Sequence, residues 1–380
     1  MSSLWSANRE QQRSEDTIDD LFFGWTQSFP RTRGRSERQL NPTTNFKNAK
    51  RKLYFDEASM RNFDAVLGAL KYPIWQAPTS SLAGPELVAA VSGAGGMGSL
   101  ALTWTSPELA VEQINQVLSQ TSNPFLVNFA LAFPPLALDQ ALDAGAPIIS
   151  FSWGDPEPYL DRVRSAGTMF GIQVTTREGA KRAIDQGADF LVCQGVEAGG
   201  HVQSTTSLYE SLPRIIESAN GIPVIAAGGI ADGSAISKVL KIGAKGAILG
   251  TRFLATKESR AHNEYKRMLV ESTGDTALTV CFDGDWPYSA HRVLRNSTLE
   301  NWEASGCSTH GDRPGEGDTV AMTANGEPIL RYDSAAPRDD YQGNIESMCL
   351  YSGTGSGAIK DVPGAAELLE RLWQEGLNYE

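Results

Sequence analysis

The sequence predicts an α/β protein whose eight strands close into a (β/α)8 TIM barrel. Two observations predict this fold class. From Tyr72 onward, short apolar runs alternate with helical patterns, and this alternation is typical of βα units around a parallel sheet. Eight such units can be counted, with strand starts roughly 20 to 35 residues apart, and eight units favour a closed barrel over an open sheet.

Each predicted strand is a short apolar run that ends near a glycine or a polar residue. The eight runs are residues 73–76, 96–100, 125–129, 147–151, 169–174, 189–194, 224–227 and 247–250. Helix signals lie between them: Ser106 caps a helix that Pro107 opens, and Asp232 caps the helix after the seventh strand. Other helices end at glycines that suit a left-handed C-cap, namely Gly145, Gly167, Gly187 and Gly243.

The composition along the chain divides it into four parts. Residues 1–70 show little apolar periodicity and a basic stretch, so we expect an N-terminal extension that is partly disordered. Residues 71–272 are expected to form the barrel. Residues 273–345, rich in Gly, Asp, Ser, Trp and Pro, are expected to form an inserted, lid-like segment on the substrate side. Residues 346–380 return to the barrel and end in a helix with one apolar stripe, which predicts that this helix packs on the barrel.

The charge balance and the cysteines exclude several classes of protein. The chain has 33 Lys and Arg against 45 Asp and Glu, a net charge of -12, whereas nucleic-acid-binding domains are usually basic. The four cysteines lie far apart without a CxxC pair, so neither a metal site nor a disulfide framework is expected. The sequence contains no apolar run of about 18 residues, and its first 20 residues are acidic. We therefore expect a cytoplasmic protein without a nucleic-acid or membrane partner, with oligomerisation left open.

In a (β/α)8 barrel, functional groups project from the C-terminal ends of the strands. Glycines after the seventh and eighth predicted strands let backbone N–H groups approach an anion, and a short helix beginning there would add its positive end. We therefore expect a phosphate at Gly228, Gly229, Gly250 and Thr251. The alternative is that Gly228 and Gly229 only make a tight turn.

The segment Gly199-Gly200-His201 follows the sixth predicted strand. Two residues without side chains let the backbone lie flat against a planar ligand, which suits a flavin, while the imidazole reaches over it. An imidazole titrates near neutrality, so His201 is a candidate base, although a lone histidine can also be structural. Glu197 is expected to hold the loop by accepting hydrogen bonds from backbone N–H groups, with a role as a second acid or base as the alternative. Cys193 is expected to be an inert core thiol.

These motifs resemble the FMN-dependent nitronate monooxygenases, formerly called 2-nitropropane dioxygenases. The resemblance covers about residues 72–270 through PIWQAPTSSLAGPELVAAVSGAGGMGSL, QGVEAGGH, AAGGIADG and GTRFLATKES. It continues more weakly through FDGDWPYSAHRVLRN and LYSGTGSGAI, and QGVEAGGH is its most specific element.

The resemblance implies a TIM-barrel enzyme that binds FMN without covalent attachment, with His201 as the catalytic base near the flavin N5. The residues that it implies around the cofactor are Ala77, Pro78, Thr79, Asn128, Gln194, Gly199, Gly200, Gly228, Gly229, Leu249, Gly250 and Thr251. In this family an alkyl nitronate passes an electron to the flavin and then to dioxygen, and a carbonyl compound and nitrite are released. A small-molecule substrate and dioxygen are thus the implied partners.

Three positions depart from the pattern of the family. Thr79 stands where Met usually follows Ala-Pro, Ile248 stands where Gln is common, and Thr354 stands where Gln usually follows Tyr-Ser-Gly. These differences leave room for a substrate other than a simple nitronate.

Two other functions stay open at this point. An FMN-dependent enoyl-acyl-carrier-protein reductase shares the barrel and a similar EAGGH loop but draws hydride from NAD(P)H. The other alternative is a flavin-binding protein without turnover that interacts through its N-terminal arm, and the presence of His201 speaks against it.

Overall fold

The fold is described from a computed structural model, which describes residues 63–284 and 286–379. The extension predicted for residues 1–62 lies outside these ranges. The strands up to residue 249 are β1 (Ile74–Gln76), β2 (Gly98–Ala101), β3 (Phe125–Ala130), β4 (Ile148–Ser152), β5 (Met169–Val174), β6 (Phe190–Gln194), β7 (Gly200–His201), β8 (Val224–Ala227) and β9 (Gly246–Leu249). All except β7 belong to one parallel sheet in the spatial order β1, β9, β8, β6, β5, β4, β3, β2.

Contacts between the first and last strands of that order close the sheet into a barrel. Trp75 on β1 forms a parallel bridge with Met97, just before β2. The buried side chain of Gln76 accepts a hydrogen bond from the Ser99 N–H (2.8 Å) and donates one to the Ser99 carbonyl (3.2 Å). The Gln76 amide therefore extends the backbone pairing between β1 and Met97 where the barrel closes.

Helices cover the outside of the barrel. Those of the first part of the chain are α1 (Phe63–Ala69), α2 (Pro85–Gly93), α3 (Pro107–Gln120), α4 (Leu138–Asp143), α5 (Glu157–Ser165), α6 (Arg177–Asp185), α7 (Leu208–Ser218), α8 (Gly233–Ile242) and α9 (Thr251–Leu254). The alternation of strand and helix makes the chain a (β/α)8 TIM barrel, as the sequence predicts. Within the described ranges, none of the helices is long and apolar enough to cross a membrane.

The remaining α-helices and strands of the described ranges make two small sheets and three helices, the last of which is the C-terminal helix. They are α10 (Asn263–Glu271), β10 (Thr276–Thr279), β11 (His291–Leu294), α11 (Ser297–Ala304), β12 (Thr319–Met322), β13 (Pro328–Leu330), β14 (Gln342–Gly343) and α12 (Ala365–Leu377). Antiparallel pairing in the order β10, β11, β7 joins the 273–345 segment to the loop after β6. The apolar face of α12 is buried against α2 and α8.

The local signals in the sequence agree with these elements. All eight predicted barrel strands are present, and the largest difference is at β2, which is predicted from residue 96 and begins at Gly98. The Ser106 hydroxyl accepts a hydrogen bond from the Leu109 N–H, and the Asp232 carboxylate accepts one from the Ala235 N–H. The four glycines predicted to follow helices have positive φ values, from 68° to 121°.

Helix α1 differs from the expectation that the extension runs to residue 70. Its residues Phe63 and Val66 are buried against residues near the N-terminal ends of the barrel strands. The ring of Phe63 stacks on Phe190 at the start of β6, with centroids 4.3 Å apart, and meets Trp75 edge-on. Residues 63–69 therefore close the N-terminal end of the barrel. One turn of apolar spacing next to a basic, irregular stretch is too short a pattern to reveal this.

Candidate active site

A cavity of about 260 Å³ opens among the C-terminal ends of the barrel strands. All the residues predicted for the site line it except Leu249. The lining residues from that set are Ala77, Pro78, Thr79, Asn128, Gln194, Gly199, Gly200, His201, Gly228, Gly229, Gly250 and Thr251. The fold thus brings the ends of five barrel strands together at one place, as the geometry of a (β/α)8 barrel requires.

Leu249 does not line the cavity. Its side chain is fully buried in the core between the sheet and the helices, and its carbonyl accepts a hydrogen bond from the Ala77 N–H. Successive side chains of a strand point to opposite faces of a sheet, so the preceding residue, Ile248, faces the cavity instead. Ile248 therefore contributes the side chain at this point of the wall.

The glycines after β8 have backbone conformations that exclude other residues. Gly228 and Gly229 have φ values of +116° and +68°, and a Cβ on Gly229 would lie 2.8 Å from the Cβ of Glu197. Among the described residues, no acceptor is found for the N–H groups of Gly229, Gly250 and Thr251. These N–H groups face a common cavity, so the loops fit an oxyanion such as a phosphate.

The C-terminal return of the chain completes this side of the cavity. The Gly353 N–H donates to Oγ1 of Thr251 (3.0 Å), and the Thr354 N–H donates to the Glu197 carbonyl (3.1 Å). A Cβ on Gly199 would lie 2.4 Å from the Gly353 nitrogen, so only glycine permits this approach. Gly353 was not among the predicted site residues, although the glycine-rich run SGTGSG was a visible signal for a tightly packed backbone.

Two side chains of the β6 end hold the loop that carries His201. The Gln194 amide donates to the His201 carbonyl (3.3 Å) and accepts from the Gln203 N–H (2.9 Å). The Glu197 carboxylate accepts from the Leu208 N–H (2.9 Å), which is the structural role predicted for it. The polar atoms of Gln194 are therefore used to position the loop.

Cys193 lies just before Gln194 on β6. Burial raises the pKa of Cys193 to about 12, as expected of an inert core thiol.

His201 has the electrostatic environment of a neutral imidazole. Its Nε2 is buried and has no hydrogen-bond partner among the described residues, and burial together with the nearby His291 lowers its pKa to about 3. Gly200, beside it, has a φ of +75°, and a Cβ there would meet no atom within 4 Å. The open space beside Gly200 leaves room for a ligand, and such a ligand would supply the hydrogen bond that Nε2 of His201 lacks.

His291 lies opposite His201 in the pairing of β11 with β7, with ring centroids 5.4 Å apart. It is fully buried, and its Nε2 accepts a hydrogen bond from the Phe282 N–H (3.2 Å). Its Nδ1 lies 2.9 Å from the Ser289 carbonyl, to which it donates as the neutral tautomer. His291 therefore ties together the two ends of the loop 282–289.

That loop places an indole over the candidate base. The ring of Trp286 stacks on His201 with centroids 4.2 Å apart and 29° between the planes. Trp153, after β4, packs edge-on against both Trp286 (4.8 Å) and His201 (6.2 Å). Both tryptophans line the cavity, and neither was predicted, because isolated aromatic residues in loops carry no periodic signal.

The cavity wall is mostly apolar and carries no charged side chain among the described residues. None of the described lining residues is Asp, Glu, Lys or Arg. The described parts of the chain also contain no cluster of His, Cys, Asp and Glu that could hold a metal ion. The chemistry of the cavity therefore depends on neutral donors, backbone N–H groups, aromatic rings and His201.

The barrel and its cavity define an enzyme of the TIM-barrel class. The sequence profile of one family, nitronate monooxygenase, matches residues 63–137 and 136–375. The chain belongs to the nitronate monooxygenase family and is a flavin oxidoreductase.

Curated relatives resemble the chain over most of its length. A nitronate monooxygenase of Pseudomonas aeruginosa is 30% identical over 82% of this chain and 98% of its own length. A protein of Mycobacterium tuberculosis named (3aS,4S,5R,7aS)-5-hydroxy-7a-methyl-1-oxo-octahydro-1H-indene-4-carboxyl-CoA dehydrogenase is also 30% identical, over 82% of this chain and 94% of its own.

Solved structures show the same fold. FabK from Thermotoga maritima matches with a TM-score of 0.66 and 26% identity, covering 82% of this chain and 94% of that one. Nitroalkane oxidase from Streptomyces ansochromogenes matches with a TM-score of 0.65 and 28% identity, covering 82% and 97%.

Proposed function

We propose that this protein is an FMN-dependent enzyme that oxidises alkyl nitronates, or a related nitro compound or activated carbon acid, with dioxygen. The products are a carbonyl compound and nitrite. The observation that supports this most directly is the buried, partnerless Nε2 of His201 in an uncharged cavity beside two glycine loops. The substrates are small molecules, and we propose a cytoplasmic enzyme without a nucleic-acid partner because the chain is acidic.

The glycine loops fit the cofactor that the family uses. The free N–H groups of Gly229, Gly250 and Thr251 would hold the phosphate, and the open space beside Gly200 would receive the planar ring. Orphaned polar atoms on the same wall, Oγ1 of Thr79 and Nε2 of His201, would gain partners. When bound, FMN supplies the electron transfer between substrate and dioxygen.

His201 supplies a proton acceptor for substrates that arrive protonated. The C–H bond beside a nitro group breaks, its proton goes to Nε2, and its electron pair stays on the carbon to give the nitronate. The lowered pKa keeps the imidazole neutral and able to accept, but it also makes the imidazole a weak base. Preformed nitronates, which need no proton transfer, should therefore be better substrates than neutral nitroalkanes.

A second candidate is FMN-dependent oxidation or reduction of a carbon activated by a thioester. It is favoured by the 30% identity to the Mycobacterium tuberculosis protein whose name is that of a carboxyl-CoA dehydrogenase. The cavity wall argues against it, because the glycine loops are assigned to the FMN phosphate and no cation among the described lining residues offers a partner to the further phosphates of coenzyme A.

The test is to purify the protein, record its visible spectrum and release the flavin by heat. We expect a yellow protein that yields FMN rather than FAD, since one phosphate site is present among the described loops. Oxygen uptake with ethyl nitronate, with nitrite as product, would support the proposal. NAD(P)H oxidation coupled to an enoyl thioester, without oxygen uptake on nitronates, would instead support the second candidate, and a colourless protein that FMN cannot reconstitute would contradict both.

A further inference from the structure

We infer that the substrate carries an uncharged aromatic group, which packs against Trp153 and Trp286 while the reacting carbon lies beside His201. This inference rests on the proposed function and names the substrate class of the same cavity. Three observations support it: the cavity wall has no charged side chain, aromatic rings follow one another from His201 outward, and the backbone of Trp153 has an unfavourable conformation.

The wall offers no counter-ion to a charged substituent. Its polar side chains are those of Ser, Thr, Asn, Gln, Trp, Tyr and His within the described residues. An ion buried without a charged partner is strongly disfavoured. The FMN phosphate would be held by the backbone N–H groups of the glycine loops, but a carboxylate or phosphate on the substrate, away from the reacting carbon, would find no charged partner and would be disfavoured.

Four aromatic rings, which we call the aromatic wall, lead from His201 toward the surface. They are Trp153, Trp286, Phe133 and Trp104. Trp286 lies 5.0 Å from Phe133 at 83°, and Phe133 lies 5.3 Å from Trp104 at 64°, both in the edge-to-face geometry that aromatic pairs prefer. Trp104 is 56% exposed, which is unusual for so large an apolar ring. A planar apolar group in the cavity would extend this series of contacts and cover the exposed indole.

The backbone of Trp153 is held in an unfavourable conformation. Its φ is +60°, in the left-handed region that residues other than glycine rarely adopt. Strain of this kind is typical of functional sites, where the surrounding structure holds it in place. Here it directs the indole so that its ring meets the His201 imidazole at 90° and Trp286 at 65°. The two indoles and the imidazole pack on one another as one cluster that lines the cavity, so a flat ring in the cavity would pack against this cluster.

The test uses unreactive ligands, so that binding is measured without turnover. Benzamide is aromatic and uncharged, acetamide lacks the ring, and benzoate adds a charge. Titration of the FMN-loaded protein, followed by the visible flavin band and by calorimetry, should give an affinity for benzamide at least about tenfold above that for either of the others. Equal affinity for benzoate or for acetamide, or no binding of benzamide, would overturn the inference.

Variants of the loop 282–289 test whether the Trp286 indole is responsible for the binding of benzamide. Trp286→Leu should weaken benzamide binding about tenfold, whereas Trp286→Phe, which keeps a ring, should retain most of it. Tyr288→Ala is the matched control, because Tyr288 lies on the same loop and is 93% exposed. Unchanged affinity in Trp286→Leu would overturn the inference. Intact, Trp286-dependent benzamide binding in a protein that does not oxidise nitronates would contradict the proposed function alone.

Discussion

His201 and His291 lie side by side in the structure, but their ring nitrogens differ in their hydrogen bonds. Both ring nitrogens of His291 are bonded to backbone groups, so its role is structural. Nε2 of His201 has no partner among the described residues, and His201 lines the cavity, so it is the histidine that we propose as the base. The position of His201 after β6 was sufficient to predict it as a site residue. The role of His291 depends on the pairing of β11 with β7 across some 90 residues of sequence, which no local pattern indicates.

The His201→Asn variant separates proton transfer from binding. It should keep bound flavin and lose activity on neutral nitroalkanes by about 10² to 10⁴-fold, the usual contribution of a general base. Activity on preformed nitronates should fall far less, because these need no deprotonation. The measurement is kcat/KM for nitroethane and for ethyl nitronate in both proteins. Equal losses on the two substrates would assign His201 to substrate positioning instead.

The low pKa of His201 also predicts a pH dependence of stability. The imidazole titrates near 6.5 in the unfolded chain and near 3 in the folded one. Below pH 6.5 the unfolded chain binds a proton that the folded chain does not, so this residue lowers the free energy of unfolding as the pH falls toward 3. Between pH 7 and pH 5, His201→Asn should therefore lose about 2 kcal/mol less stability than the wild type in urea titrations. Parallel losses in the two proteins would contradict the pKa shift.

At the scale of structural elements, the loop 282–289 and strand β11 act as one unit. The strand pairs with the His201 strand, and the His291 side chain holds both ends of the loop that carries Trp286. An ion pair between Asp283 and the nearly buried Arg313 (2.6 Å) adds a third attachment. The position of the Trp286 indole over His201 is thus set by contacts outside the cavity.

Replacing His291 by Phe should loosen this loop without altering the cavity wall. The ring volume is kept, but a buried N–H and a buried carbonyl lose their partners, which costs about 1 to 3 kcal/mol each. We expect faster hydrogen exchange at Phe282 and at residues 286–290, with flavin content unchanged. His262→Asn is the control, since His262 caps α10 away from the cavity and Asn can cap a helix. Exchange rates equal to those of the wild type would mean that other contacts hold the loop.

At the scale of the whole molecule, the barrel was predictable and the aromatic wall was not. Eight apolar runs at regular spacing specify the strands, and barrel geometry then places the residues after them at one end. Trp104, Trp153 and Trp286 come from three distant loops, and their meeting depends on loop conformations such as the positive φ of Trp153. The side chain of Leu249 lies in the core and not in the cavity, because side chains alternate along a strand and one short apolar run does not reveal which of its residues face inward.

Two truncations test where the folded barrel begins. Deleting residues 1–60 should leave the melting temperature and the flavin content nearly unchanged, because the barrel contacts described here begin at Phe63. Deleting residues 1–70 should lower stability by several kcal/mol, since the loss of one buried Phe alone costs about 3 to 5 kcal/mol. The measurements are thermal unfolding and the flavin-to-protein ratio. If the shorter deletion already releases flavin, residues 1–60 contribute to the site, and the extension is not dispensable.

The bonds from Gly353 and Thr354 to Thr251 and Glu197 also set an order of events during synthesis. The strands of the barrel leave the ribosome well before the residues that complete their cavity, because the Gly353 to Thr251 contact spans 102 positions of the chain. These bonds can form only after the last barrel strand, β9, has been synthesised, because Gly353 follows that strand by about 100 residues. A nascent chain that has passed β9 therefore still lacks the segment that completes its cavity, and we expect it to retain a ligand only near the end of translation. A premature stop before Tyr351 would remove both this segment and α12, and with them part of the site and part of the packing on the outside of the barrel.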